Sequence, residues 1–324
     1  MKQLLLLPAR QLALALPITM AIGFFAGLIM DTGELKRYMV PVTIMMIYPN
    51  MIGFKLSDML SLSQSRLVFT SLALNYTLVP LAAYLLGTGF LLRDPELFAG
   101  LAIMSLLPTS NMTVAFTTLA GGNTRAAVKL TVAGLVAGAL LAPWYLLLLV
   151  GQYVPVDVGA TLQSIATVVL VPMVLGTTTY SLLRKRYTPQ EIQERFATYF
   201  PGISSCGMLF LIFTAVSTNA QRILAQPDLL AIALLVQIAF YGFTYLLAFA
   251  VGWKFFDVGD SYALVFSVAL RSLAISIGLA ATTFGPNAAL MVTLGIPLQS
   301  QSAAWLVRLK GRSKLLSGRA WSKP

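Results

Sequence analysis

The sequence predicts an all-α membrane protein of ten transmembrane helices, arranged as two inverted five-helix repeats whose fourth and ninth helices are broken and cross. Three observations lead there. The chain is 58% hydrophobic and 10% charged, with a mean hydropathy of +0.82. A soluble domain carries about 25% charged residues, so most of this surface has to face lipid. Ten apolar runs approach or reach the length needed to cross a hydrocarbon core of about 30 Å. Two of those runs, five apart in order, are interrupted near their middle by polar residues.

The first span, Gln11 to Met30, follows Lys2 and Leu4 to Leu7, a start that resembles a signal peptide. Pro8 and Arg10 interrupt it before the longer run begins, so the span is expected to be retained. The second, Met39 to Phe54, is short and holds Pro41 and Pro49. The third, Leu67 to Leu92, contains Asn75-Tyr76-Thr77-Leu78-Val79-Pro80. The fourth, Phe98 to Leu119, has Pro108-Thr109-Ser110-Asn111-Met112-Thr113 at its centre. Proline removes a backbone donor and clashes one turn back, so this segment reads as a helix break whose freed groups line a cavity. A kink healed by its own Ser and Thr is the alternative.

Span five, Ala126 to Val150, carries Lys129 one turn in and Thr131 just after it. Span six, Gly159 to Tyr180, holds Pro172, as span one holds Pro17, so the two prolines fall in matching halves. Span seven, Phe200 to Ser217, contains Cys206; as the chain's single cysteine it rules out an internal disulfide framework and a cysteine metal site, and it reads as packing. Span eight is Leu229 to Trp253. Span nine, Tyr262 to Phe284, holds Arg271 near its middle, where insertion costs roughly 3 kcal/mol and the side chain is expected to face a bundle interior or a watery cavity. Span ten is Ala288 to Val307.

Internal symmetry organises these spans. Phe116-Thr117-Thr118-Leu119-Ala120-Gly121-Gly122-Asn123 is echoed, with a one-residue gap, by Ala281-Thr282-Thr283-Phe284-Gly285-Pro286-Asn287. The echoes close spans four and nine, and a repeat with an odd number of spans places its second copy upside down. The expected units are residues 11–150, residues 159–307 and a basic tail, 308–324.

Charge sets the orientation. With the N-terminus inside, sixteen of the 22 Lys and Arg fall in inside segments and four outside, with two in the spans. That is the positive-inside pattern, with both termini cytoplasmic in a cell inner (plasma) membrane. The net charge of +11 is therefore directed at an anionic leaflet rather than at nucleic acid. All eleven acids lie in loops or at span ends and histidine is absent, so neither a proton relay within the membrane nor an enzyme active site is expected, and no cofactor or metal.

Here the residues resemble a family. The span-four segment from Pro108 to Leu119-Ala120-Gly121-Gly122-Asn123, and Asn75 five residues before Pro80, look like the bile acid:sodium symporters and their relatives the arsenite efflux carriers. The resemblance implies a panel domain (spans one, two, six and seven) and a core domain (spans three to five and eight to ten), with spans four and nine unwound at their crossing. It also implies sodium ligands at positions that here hold Thr113 and Val114, and a matching threonine at Thr131. Span nine departs from the family: between Tyr262 and Phe284 there is no Glu, Asp, Gln or Asn, and Arg271 and Lys129 stand as fixed cations where sodium ions would sit. Lys129 snorkelling to the inner surface is the alternative for that residue, and Arg271 capping carbonyls of the broken helices is the alternative for the other. The arsenite carriers' cysteine is Thr109 here, which disfavours a soft trivalent arsenical.

The expected function is a secondary carrier of a small organic anion, not sodium-coupled, working by alternating access. Arg271 and the half-helix N-termini would attract the anion, with Ser272, Thr109, Ser110, Asn111, Thr113 and Asn75 around it. A sodium-coupled symporter, an arsenite-type carrier and a non-transporting sensor or scaffold are the alternatives. Substrate identity, transport direction, coupling ion and oligomeric state are not fixed by the sequence.

Overall fold

The computed structural model describes residues 12–52, 64–188, 190–192 and 199–316. Lys2, Arg10, Lys55, Arg195, Arg319 and Lys323, the predicted span ends at Gln11 and Phe54, and the tail beyond residue 316 lie outside the described residues. The described elements are helical throughout: α1 Leu12–Ile29, α2 Met39–Met51, α3 Ser65–Tyr76, α4 Leu78–Phe90, α5 Pro95–Leu106, α6 Asn111–Leu119, α7 Thr124–Val150, α8 Val158–Ile165, α9 Val171–Arg184, α10 Phe200–Ser217, α11 Ala220–Ala225, α12 Pro227–Phe255, α13 Val258–Ala269, α14 Leu273–Thr283 and α15 Pro286–Leu316. Ser65–Phe90, Thr124–Val150, Val158–Arg184 and Pro227–Phe255 are long and apolar enough to cross a membrane, and shorter apolar helices accompany them. This is an integral membrane protein of the all-α class.

Proline explains the irregularities. Pro80 cannot donate to the carbonyl of Tyr76; α3 and α4 hinge at Thr77, and Tyr145 Oη of α7 donates to the freed Tyr76 carbonyl at 2.6 Å. Pro172 likewise leaves Val168 without its intrahelical donor, and residues Ala166–Leu170 widen into a π-helical turn joining α8 to α9. The span-end acids and Asn123 have work as caps. Asp157 accepts from the Ala160 N–H at 3.0 Å and Asn123 from that of Ala126 at 3.1 Å, each closing an orphan donor of a helix start.

Spans four and nine are split, as Pro108 and Arg271 predict. The halves α5 and α13 have 12 residues each, about 18 Å of helix, so neither half crosses the membrane alone. Each split span starts with an acid bonded to an asparagine at the start of a helix from the other half of the chain. Asn287 donates to Glu96 at 2.6 Å and Asn123 to Asp260 at 2.7 Å. Helices α1, α2 and α9 with α10 form one packed group, while α3 to α7 pack with α12 to α15. The groups meet mainly where α14 lies on α2 and α10 lies on α15.

Candidate functional site

The two breaks meet at the centre of the second group. Pro108 and Arg271 pair antiparallel in an isolated β-bridge. The Thr109 N–H donates to the Leu270 carbonyl at 2.9 Å and the Ser272 N–H to the Leu107 carbonyl at 2.9 Å. These two bonds satisfy groups that the interrupted helices leave open, which in hydrocarbon is obligatory. Thr109 holds φ at 66°, an uncommon conformation for a β-branched residue. Its neighbourhood over-determines it: Oγ1 reaches the Thr131 carbonyl at 3.2 Å, and Gly134 leaves the room, since a Cβ there would lie 2.9 Å from Thr109 Oγ1.

Arg271 is fully buried at this crossing. Its Nη1 donates to the Ser105 carbonyl at 3.2 Å and Nη2 to the Val268 carbonyl at 2.6 Å, while Nε has no partner. The guanidinium thus braces the last turns of α5 and α13, the carbonyl-capping arrangement raised above as the alternative for this residue. No Asp or Glu pairs with it among the described residues. The Arg271 N–H goes to Gln299 Oε1 at 2.7 Å, and Gln299 Nε2 returns a bond to the Arg271 carbonyl at 3.0 Å.

A cavity of about 420 Å³ opens beside the crossing. Thr109, Ser110, Thr131, Arg271, Ser272 and Gln299 line it from one helix group, Met46, Met51, Ser204 and Met208 from the other. Ser110 caps α6 by accepting from the Met112 N–H at 3.2 Å, and Thr113 Oγ1 accepts from the Ser110 N–H at 3.1 Å. The N-termini of α6 and α14 both point at this space, and each brings partial positive charge.

Of the residues expected here, Arg271, Ser272, Thr109, Ser110 and Thr131 do line the cavity. Asn111 begins α6, but its side chain lies outside the described residues. Three residues do not line the wall. Thr113 is buried behind it, donating to the Phe266 carbonyl at 3.3 Å. Asn75 is buried too and donates to the Ser71 carbonyl of its own helix at 2.9 Å. Lys129 is half-buried on α7. Gln299, Ser204, Ser205 and Ser300 escaped the sequence reading. A glutamine two residues after Pro297 in an apolar span was the available signal for the first of them.

The two interrupted helices and the buried arginine thus belong to an all-helical membrane protein. The chain belongs to the Sodium Bile acid symporter family, whose model matches residues 40–226. That match ends before α13 and Arg271. The chain is 29% identical over 215 residues to the probable sodium/metabolite cotransporter BASS1, chloroplastic, of Oryza sativa subsp. japonica, covering 65% of this chain and 50% of that protein. It is 27% identical over 217 residues to the uncharacterized sodium-dependent transporter YocS of Bacillus subtilis (strain 168), covering 66% and 64%. With the sodium/bile acid cotransporter 7 of Xenopus tropicalis it shares 27% over 188 residues, covering 56% and 53%. The chain thus spans between half and just under two thirds of the length of these curated relatives.

Proposed function

We propose that this protein is a secondary transporter of a small organic anion, with the cavity beside the crossing as its binding site. One observation carries the reading: a fully buried arginine without an acidic partner among the described residues stands at the wall of a cavity onto which two half-helix N-termini converge. Together these make the site electropositive in a low-dielectric setting, where an anion is the complementary ligand. The hydroxyls of Ser110, Thr131, Ser204 and Ser300 would orient it, and the methionines would take an apolar body. Thermal-shift screening of the purified protein against organic acids tests this directly; the absence of any response across carboxylates and sulfonates would overturn it.

The same reading takes residues 11–150 and 159–307 as inverted five-span repeats, moving as a core on a panel. The paired clamps support it, since Glu96 and Asp260 stand at the same offset along the chain as Asn123 and Asn287. So do the reciprocal bonds at the crossing. The cavity extends toward Met51, Val128 and Ser204, the end of the bundle that the basic residues make cytoplasmic. At the other end, Arg222 of α11 forms an ion pair with the buried Asp94. This favours an inward-facing state in a plasma membrane with both termini cytoplasmic. A cytoplasm-active reporter fused at Gln190 should then be active and one at Gln152 inactive; the opposite result would remove the topology.

Coupling to sodium is the second reading, favoured by the names of the relatives. Against it, Val114, Ala269 and Leu270 offer no side-chain oxygen, and Arg271 already supplies a positive charge. Ligand affinity is expected to stay unchanged when sodium is exchanged for potassium or choline at constant ionic strength. A change of about tenfold, equivalent to about 1.4 kcal/mol of coupling, would establish a sodium site built from other groups.

A further inference from the structure

The crossing contains an asymmetry that the two repeats do not share. Pro108 has no N–H to satisfy. Arg271, its partner in the bridge, does have one, and its helix is interrupted at the point where an i−4 carbonyl would have accepted it. Gln299 of α15 supplies the missing acceptor. Its Oε1 takes the Arg271 N–H at 2.7 Å, and its Nε2 donates to the Arg271 carbonyl at 3.0 Å, so the amide pairs with this peptide as a neighbouring strand would. The Tyr241 hydroxyl of α12 donates to the same Oε1 at 3.1 Å. All three residues are almost wholly buried, Gln299 at 1% exposure.

We propose that Gln299 is a positioning residue for anion binding, holding the peptide of Arg271, a residue of the cavity wall, so that its guanidinium stays on the Ser105 and Val268 carbonyls. This rests on the anion-transporter reading above. The side-chain chemistry at this position is narrowly constrained. An amide offers a donor and an acceptor without charge, and both are used. A carboxylate keeps the acceptor, loses the donor and brings a negative charge next to Arg271. Methionine keeps the length and polarisability and loses both hydrogen bonds.

Stability and affinity should therefore rank the variants in opposite orders. Gln299→Glu keeps the bond to the Arg271 N–H and gains attraction to the guanidinium, so the amide exchange of residues 270–272 should remain near wild type. Its affinity for an anion should fall furthest, since the site's positive charge is offset. Gln299→Met should show exchange at Arg271 faster by about tenfold or more, a lower melting temperature and an intermediate loss of affinity. A purely structural glutamine predicts affinity falling in the same order as stability.

The experiment uses the full chain in detergent, with potassium propanesulfonate as the anionic probe, melting temperature as the stability readout and hydrogen exchange followed by mass spectrometry. Opposite rankings support the proposal. Wild-type affinity in Gln299→Met, or wild-type exchange at Arg271 in that variant, overturns it. Should Gln299→Met not fold, Gln299→Glu still decides, because unaltered propanesulfonate affinity there is incompatible with a place beside the anion. A wild-type protein that ignores propanesulfonate counts against the anion-transporter reading instead, and exchange at Arg271 in the two variants then decides the positioning role by itself.

Discussion

Arg271→Gln is expected to lower the melting temperature and abolish anion binding in the same molecule. The guanidinium serves two carbonyls at once, Ser105 from α5 and Val268 from α13. The shorter glutamine amide reaches at most one of them, and each polar group stranded in a dry interior costs about 1 to 3 kcal/mol. The substitution also removes the positive charge that the proposed function assigns to anion binding. Arg271→Lys separates the two effects: it keeps the charge, while one ammonium cannot reproduce a planar fork across both carbonyls. The lysine variant should therefore melt well below wild type and still bind an anion weakly. Melting temperature and ligand affinity measured together on both variants give the answer. Normal affinity in Arg271→Gln would remove the charge from the binding mechanism, and an unchanged melting temperature would remove the bracing role.

Arg271 also marks how far the sequence could be read. Its cost in an apolar run was visible from composition, as was the break at Pro108, because both follow from local rules about donors, charge and hydrocarbon. What the guanidinium touches was not visible. Ser105 lies 166 positions away in the chain, and pairing across that distance is decided by how two broken helices stack. The same limit hid Gln299, whose partner is a backbone group and carries no side-chain signature. Asn75 was placed near the site by resemblance alone; its amide is held by Ser71, one turn back on its own helix. The acids were legible as span-end residues and local caps, while the clamps of Asp260 to Asn123 and of Glu96 to Asn287 depend on neighbours from the other half of the chain. The hinge at Thr77 and the wide turn before Pro172 follow from proline chemistry, yet the sequence reading treated both spans as continuous.

Gly278→Ala is expected to disturb the contact between the two helix groups more than its single methyl suggests. Gly278 lies in the middle of α14, against Thr43 of α2, where the groups meet. A Cβ at Gly278 would lie 2.1 Å from Thr43 Cγ2 and 2.9 Å from its Oγ1. Thr43 has little freedom to turn away, being wholly buried with its hydroxyl donating to the Met39 carbonyl at 2.7 Å. Either that hydrogen bond is given up or α14 moves off α2 by about an ångström, and overpacking of this kind typically costs about 1 to 3 kcal/mol. Thr43→Ala removes both offending atoms, so the double variant Thr43→Ala, Gly278→Ala should recover most of the lost stability, with a coupling above about 1 kcal/mol between the sites. Additive effects in that cycle would mean the two residues are not in contact. The contact also bears on transport, because α14 carries the second half-helix of the site and α2 belongs to the other group. If alternating access slides one group over the other, Gly278→Ala should slow transport in proteoliposomes by at least about tenfold while anion affinity in detergent stays within about twofold of wild type. Transport at the wild-type rate would show that this surface is not the one that moves.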